Sequence, residues 1–228
     1  MQKLLITQAS VDYYGFFATT AFELMGEQRL IFEGLSKTFE AHNLSLANFR
    51  LEGDISEPAT NAVIVRLGRF GTYKFKFDQV QATLNGFSDS ELEGMVSVID
   101  NGDSWLRTTV KDFHFKSHAF VYAGHGVVSG GKSSKFLLSL PRREIPTAGE
   151  DLGAGVLETW RDAHLDAKVR ILVDHSLQEP DGLFINYMVV FDRDKVEYVD
   201  AAQHSRVVLN NFLNQLGLEF GEEEAVVL

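Results

Sequence analysis

The sequence contains no cysteine, which excludes disulfides, thiolate metal sites and a thiol nucleophile. Proline is scarce, at four in 228 residues, and no Pro/Gly/Ser-rich linker divides the chain. A single domain over residues 1–220 is therefore expected, followed by an acidic C-terminal tail at 221–228. No apolar run approaches the eighteen residues of a membrane-spanning helix, so no membrane partner is expected. Positive charge is also short: 21 Lys and Arg stand against 32 Asp and Glu, a formal charge of −11. That balance argues against a nucleic-acid partner, because polyphosphate binding needs a basic face. The stretch MQKLLITQASVDYYGFF lacks the continuous apolar core of a secretory signal. A cytoplasmic location is the expectation.

What the sequence has in excess is phenylalanine, eighteen residues of it. Such a content predicts a thick aromatic core, with a groove for an apolar small molecule as the alternative. A chain of this length buries roughly 70% of its unfolded surface on folding, enough for a substantial core.

Periodicity supplies the elements. Leu4–Phe17 is rich in β-branched and aromatic residues and predicts a first strand. From Thr20 to His42 the period changes, with Met25, Phe32, Leu35 and Phe39 recurring at helical spacing between charges. Leu44–Asn61 reads mostly as loop. Asn61–Leu67 and Thr72–Asp78 form a predicted hairpin around Gly68 and Gly71, in which Tyr73, Phe75 and Phe77 alternate with Lys74 and Lys76. Ser88 and Glu91 have capping-box spacing ahead of a helix through Ile99, closed by Asn101-Gly102. Trp105–Tyr122 and Lys135–Leu140 read as extended runs around a glycine-rich tip. A further helix is predicted through Leu152, Val156, Trp160 and His164, weakened by Gly153 and Gly155 at about 1 kcal/mol each. Strands at Ala167–Asp174 and Leu183–Phe191 then precede a helix capped by Asp200 and ended by Gly217. The pattern is strand–helix followed by three hairpin–helix units. It predicts an α+β fold: a mainly antiparallel sheet built from successive β-hairpins, with about four helices packed on one face.

Three groups of residues carry candidate chemistry. Gly126-Val-Val-Ser-Gly-Gly131-Lys132-Ser133 fits G-x-x-x-x-G-K-[ST], whose backbone amides and lysine cradle phosphates when a strand leads in and a helix leads out. Here only seven residues separate Ser133 from Pro141, so the string is expected at a hairpin tip. His114 and His118 fall on one face of the expected strand, opposite Phe113 and Phe115, with His125 on the following loop. Four residues along a strand span about 13 Å, too far for one metal ion to bind both imidazoles. Asp174-His175-Ser176 names the members of a hydrolase triad, but triads are assembled in space from separate elements.

No catalytic residue, metal or cofactor is assigned on these grounds. The residues expected to bind something are Gly126, Gly131, Lys132, Ser133, His114, His118 and His125. The expected function is that of a non-catalytic binding or assembly protein acting on a protein partner or through self-association. The alternatives are a carrier of an apolar small molecule held between sheet and helix, and a nucleotide-binding enzyme using Gly126–Ser133. The tail, three glutamates followed by Ala225-Val-Val-Leu228, is a candidate docking segment.

Overall fold

The structure, a computed structural model, describes residues 1–53, 57, 60–68, 71–85, 89–130, 133–140 and 155–221, with the backbone alone at 89–92. It is an α+β fold with a mainly antiparallel sheet. The strands are β1 (Gln2–Phe17), β2 (Phe49–Glu52), β3 (Ala62–Arg66), β4 (Gly71–Lys76), β5 (Gln79–Asn85), β6 (Phe115–Val128), β7 (Val156–Asp162), β8 (Ala167–His175), β9 (Leu183–Phe191) and β10 (Leu218–Phe220). The helices are α1 (Gln28–Thr38), α2 (Asp89–Thr109), α3 (Ser133–Ser139) and α4 (Tyr198–Gln215). The sheet order is β2-β3-β4-β5-β1-β6-β9-β8-β7, and β10 pairs parallel with the start of β1. Among the described residues, no helix is long and apolar enough to cross a membrane.

Two compact units are distinguished: Met1–Ala9, Val121–Val189 and Gln203–Leu228 form the first, and Ser10–Phe120 with Val190–Ala202 the second. In the second unit, β2 to β5 make an antiparallel meander and β5 pairs with the later half of β1, Val11 opposite Leu84. Alternation decides its buried side: Val11, Tyr13 and Phe17, then Val63 and Val65, Tyr73 and Phe75, Val80, Ala82 and Leu84. Ile31 and Leu35 of α1 and Met95, Ile99 and Leu106 of α2 bury the helical contribution. Each such side chain contributes about 1.5–3 kcal/mol by leaving water. The phenylalanines pack largely on other rings, Phe75 edge-on to Trp105 at 5.6 Å and Phe17 to Phe113 at 4.8 Å.

In the first unit, β7 pairs antiparallel with β8, Thr159 opposite Arg170. Val169, Ile171 and Val173 of β8 and Leu183, Ile185, Tyr187 and Val189 of β9 are buried in strict alternation. Leu209 and Leu213 supply the buried stripe of α4, and Phe136 and Leu137 that of α3.

Several elements differ from the sequence expectation. The first helix is broken: a 3-10 turn at Phe22–Leu24 is separated from α1 by Gly26, whose φ of 85° no helix continues through. Asn43 does end the segment, in the left-handed region at φ 51°. Strands β2 and β5 arise where loop and unassigned chain were expected.

Helix α2 does not stop at Asn101-Gly102 but continues to Thr109, so Trp105–Thr109 is helical and not extended. Gly102 is there for a tertiary reason: a Cβ would lie 2.6 Å from the Tyr73 hydroxyl. Lys135–Leu140 is not a strand either, since Ser133–Ser139 forms α3 with Ser133, Phe136 and Leu137 buried at helical spacing. The predicted helix through Val156 and Trp160 is the strand β7, and His164 lies in the turn that follows it. The residues before 155 that would have begun that helix, Ser88 and the Glu91 side chain of the capping box, and the tail at 222–228 lie outside the described residues.

The three hairpin–helix units give way to a different recurrence. A strand, a helix, an antiparallel set of strands and a second helix occur in that order twice: β1, α1, β2–β5, α2, and then β6, α3, β7–β9, α4.

Candidate functional site

Of the phosphate-loop string, Gly126 to Gly130 and Ser133 are described. Gly126 lies within β6, where a Cβ would come 2.5 Å from the Leu5 carbonyl oxygen, so glycine is required there for strand approach. The chain does leave a strand and enter a helix at Ser133, against the hairpin tip expected from the sequence. That helix has seven residues, and the Ser133 amide is spent on the Asp181 carbonyl at 3.3 Å. The Ser133 hydroxyl is buried without a partner. Gly131 and Lys132 lie outside the described residues.

His114 and His118 both meet Asp194, while His125 belongs to the first unit. His114 and His118 do not share a strand face: alternation slips by one residue after Phe115, so His118 packs beside the Phe115 ring at 4.5 Å, fully buried. His114 precedes the strand, its side chain 63% exposed. His125 belongs to β6 and not to a loop. No group of three His, Asp or Glu side chains able to hold a metal ion occurs among the described residues.

What the second unit builds instead is a buried polar network around His118. Its Nε2–H donates to the Asp194 carbonyl at 3.0 Å, which fixes the tautomer. Nδ1 therefore accepts, and the Tyr13 hydroxyl donates to it at 2.8 Å. The Tyr198 hydroxyl lies 3.2 Å from that of Tyr13 and 3.4 Å from the same Nδ1. Burial pushes the His118 pKa down to about 4, against the bond to Asp194, and burial raises both tyrosines.

Asp194 holds the outer end of this network. Its carboxylate accepts from the Phe115 amide at 2.7 Å, from both terminal nitrogens of Arg107 at 3.1 and 3.2 Å, and meets His114 Nδ1 at 3.3 Å. Partial burial pushes the Asp194 pKa up, but the bonds from Arg107, Phe115 and His114 hold it at about 2. Arg107 also bonds Asp103 at 2.7 Å, where burial nonetheless raises the carboxyl. Both imidazole nitrogens are occupied and the ring is fully buried, so the network orders the chain around it.

In the first unit, the Ser176 hydroxyl lies 2.8 Å from His125 Nδ1. The serine of Asp174-His175-Ser176 thus meets a histidine from another element. Ser176 Oγ also accepts from the amides of Gln178 and Glu179, so it must donate to His125. The two amide bonds make this oxygen a cap for the turn that follows. His204 stacks on His164 at 4.3 Å and meets Asp162 at 3.2 Å, a pair that ties α4 to the turn after β7.

One feature open to a ligand among the described residues is the wet side of the second unit's meander. Register places Arg50 opposite Ile64, Ile64 opposite Lys74, and Lys74 opposite Gln81. The next row runs Arg66, Thr72, Thr83 and Asp12. All of these except Asp12, with Glu52, line an open cavity of about 310 Å³. Three cations and one anion leave the lining at +2, on a chain that carries −11 overall. Glu52 bonds Lys74 at 2.9 Å and lies 3.6 Å from Arg50, and these cations hold its carboxyl below the usual range, with the Lys74 hydrogen bond foremost. Arg66 has no ion-pair partner among the described residues. On the rim, Thr83 donates to Asp12 at 2.6 Å, and Tyr14 stacks with the part-exposed Phe16 at 6.3 Å.

The alternation of Lys74 and Lys76 with buried aromatics marks this side as wet in the sequence itself. Arg50 and Arg66 join it through strand pairing that no local pattern specifies. No family model matches this chain, and no curated protein sequence matches it.

Proposed function

We propose that this is a non-catalytic binding protein that takes an acidic segment of a protein partner on the wet side of β2 to β5. The single observation that carries the reading is the excess of cations around the cavity at Arg50, Arg66 and Lys74, set in an otherwise acidic chain. Electrostatic complementarity of this kind steers encounter and selects partners by charge. Glu52 supports carboxylate as the matching group, since a carboxylate already rests between Lys74 and Arg50. The strongly negative whole disfavours a polyphosphate far more than a short peptide of few charges. Threonine and glutamine among the cations offer neutral hydrogen bonds that a peptide backbone can use.

The test is fluorescence anisotropy of a labelled glutamate-rich peptide against the wild type and the Arg66→Ala/Lys74→Ala variant. Binding at low ionic strength, weakened by salt and reduced about tenfold or more in the variant, is the expected result. Equal binding to both proteins, or none to the wild type at about 50 mM salt, overturns it.

A further inference from the structure

The face has a spacing as well as a charge. Arg50, Ile64 and Lys74 share one row across three strands, and Arg66 stands in the row beside it, two residues along β3 from Ile64. Two residues of strand advance about 6.7 Å. The first row holds Glu52 between its cations, while the second presents an arginine with no ion-pair partner among the described residues. The free protein thus has one anion position filled by its own side chain and one open.

An extended peptide places side chains i and i+2 on the same face at that same advance, and sends i+1 to the other side. We infer that the site reads two carboxylates in the pattern acid-x-acid on an extended segment, with Glu52 standing in for one of them until the partner arrives. This rests on the binding reading above and narrows it. The incoming carboxylate at the first row takes the Lys74 ammonium and the Arg50 guanidinium from Glu52, and the second meets Arg66. Glu52 is then an internal competitor. Its side chain is 33% exposed and that of Lys74 25%, so the pair can open without disturbing the core.

Calorimetric titration of three neutral-background peptides of equal length tests this. Each carries two glutamates, placed adjacent, two apart or three apart. The wild type is expected to bind the two-apart peptide most tightly. Glu52→Gln is expected to tighten it about threefold, the scale of one exposed ion pair removed from competition. Arg66→Gln is expected to erase the preference among spacings while leaving residual binding through Lys74 and Arg50. Equal affinity for the three spacings, or unchanged or weaker binding by Glu52→Gln with an unaltered thermal melt, overturns the inference and leaves the binding reading standing. Failure of all three peptides on both proteins overturns both.

Discussion

At the scale of single residues, His118 is the position where chemistry most constrains the fold. It is fully buried, neutral, and bonded through both nitrogens. Its pKa of about 4 in the folded protein lies below the ordinary value of 6.5. Between those two values the unfolded chain binds a proton that the folded chain refuses, so stability is complete above about pH 6.5 and declines as pH falls toward 4. The loss is on the order of 3 kcal/mol. Asp194 adds a second, lower window: its contribution is present above about pH 3.8 and is lost as pH falls toward 2. Urea titrations from pH 7 to 4.5 are expected to show a shallower pH dependence in His118→Phe than in the wild type. Parallel slopes would mean that His118 titrates normally. The histidine was visible in the sequence as a candidate, but its partner Asp194 was not, because a loop aspartate has no periodicity to betray which strand it will cap.

Among elements, the contact of α1 with α2 rests on a glycine. A Cβ on Gly34 would overlap the Trp105 indole. Alanine is the better helix former by about 1 kcal/mol, but overpacking costs about 1–3 kcal/mol. Gly34→Ala is therefore expected to lower the thermal midpoint, whereas a gain would show that the helices can separate freely. The same competition explains which elements the sequence announces. Strands β4 and β8 and helix α4 carry clean periods because one side of each is buried and the other is wetter, while β9 reads as a nearly continuous apolar run. Helix α2 looked shorter than it is because Gly102 resembles a breaker and is in fact room for Tyr73. Seven residues of α3 fit either period. The edge strand β7, with Leu157 55% exposed, shows no alternation to read. The cationic side of the sheet was half legible for a related reason: Lys74 and Lys76 announce themselves along one strand, while Arg50 and Arg66 depend on register between strands.

For the whole molecule, the chain order and the spatial order disagree. The second unit takes Tyr13, His118, Asp194 and Tyr198 from three separated stretches of sequence. A fragment Met1–Asp112 holds β1 to β5 with α1 and α2, yet lacks His118, Asp194 and Tyr198. It is expected to give a poorly dispersed amide spectrum and to bind a hydrophobic dye. A well-dispersed spectrum would show that the polar network is dispensable for folding. The separation has a further consequence, in time. Tyr13 and Tyr198 lie 185 positions apart, and translation at about 5–20 residues per second sets roughly ten to forty seconds between their synthesis. The second unit, begun at Ser10, is completed at Ala202, after most of the first unit has been synthesised. Meanwhile its early strands offer unsatisfied edges to chaperones and to neighbouring nascent chains.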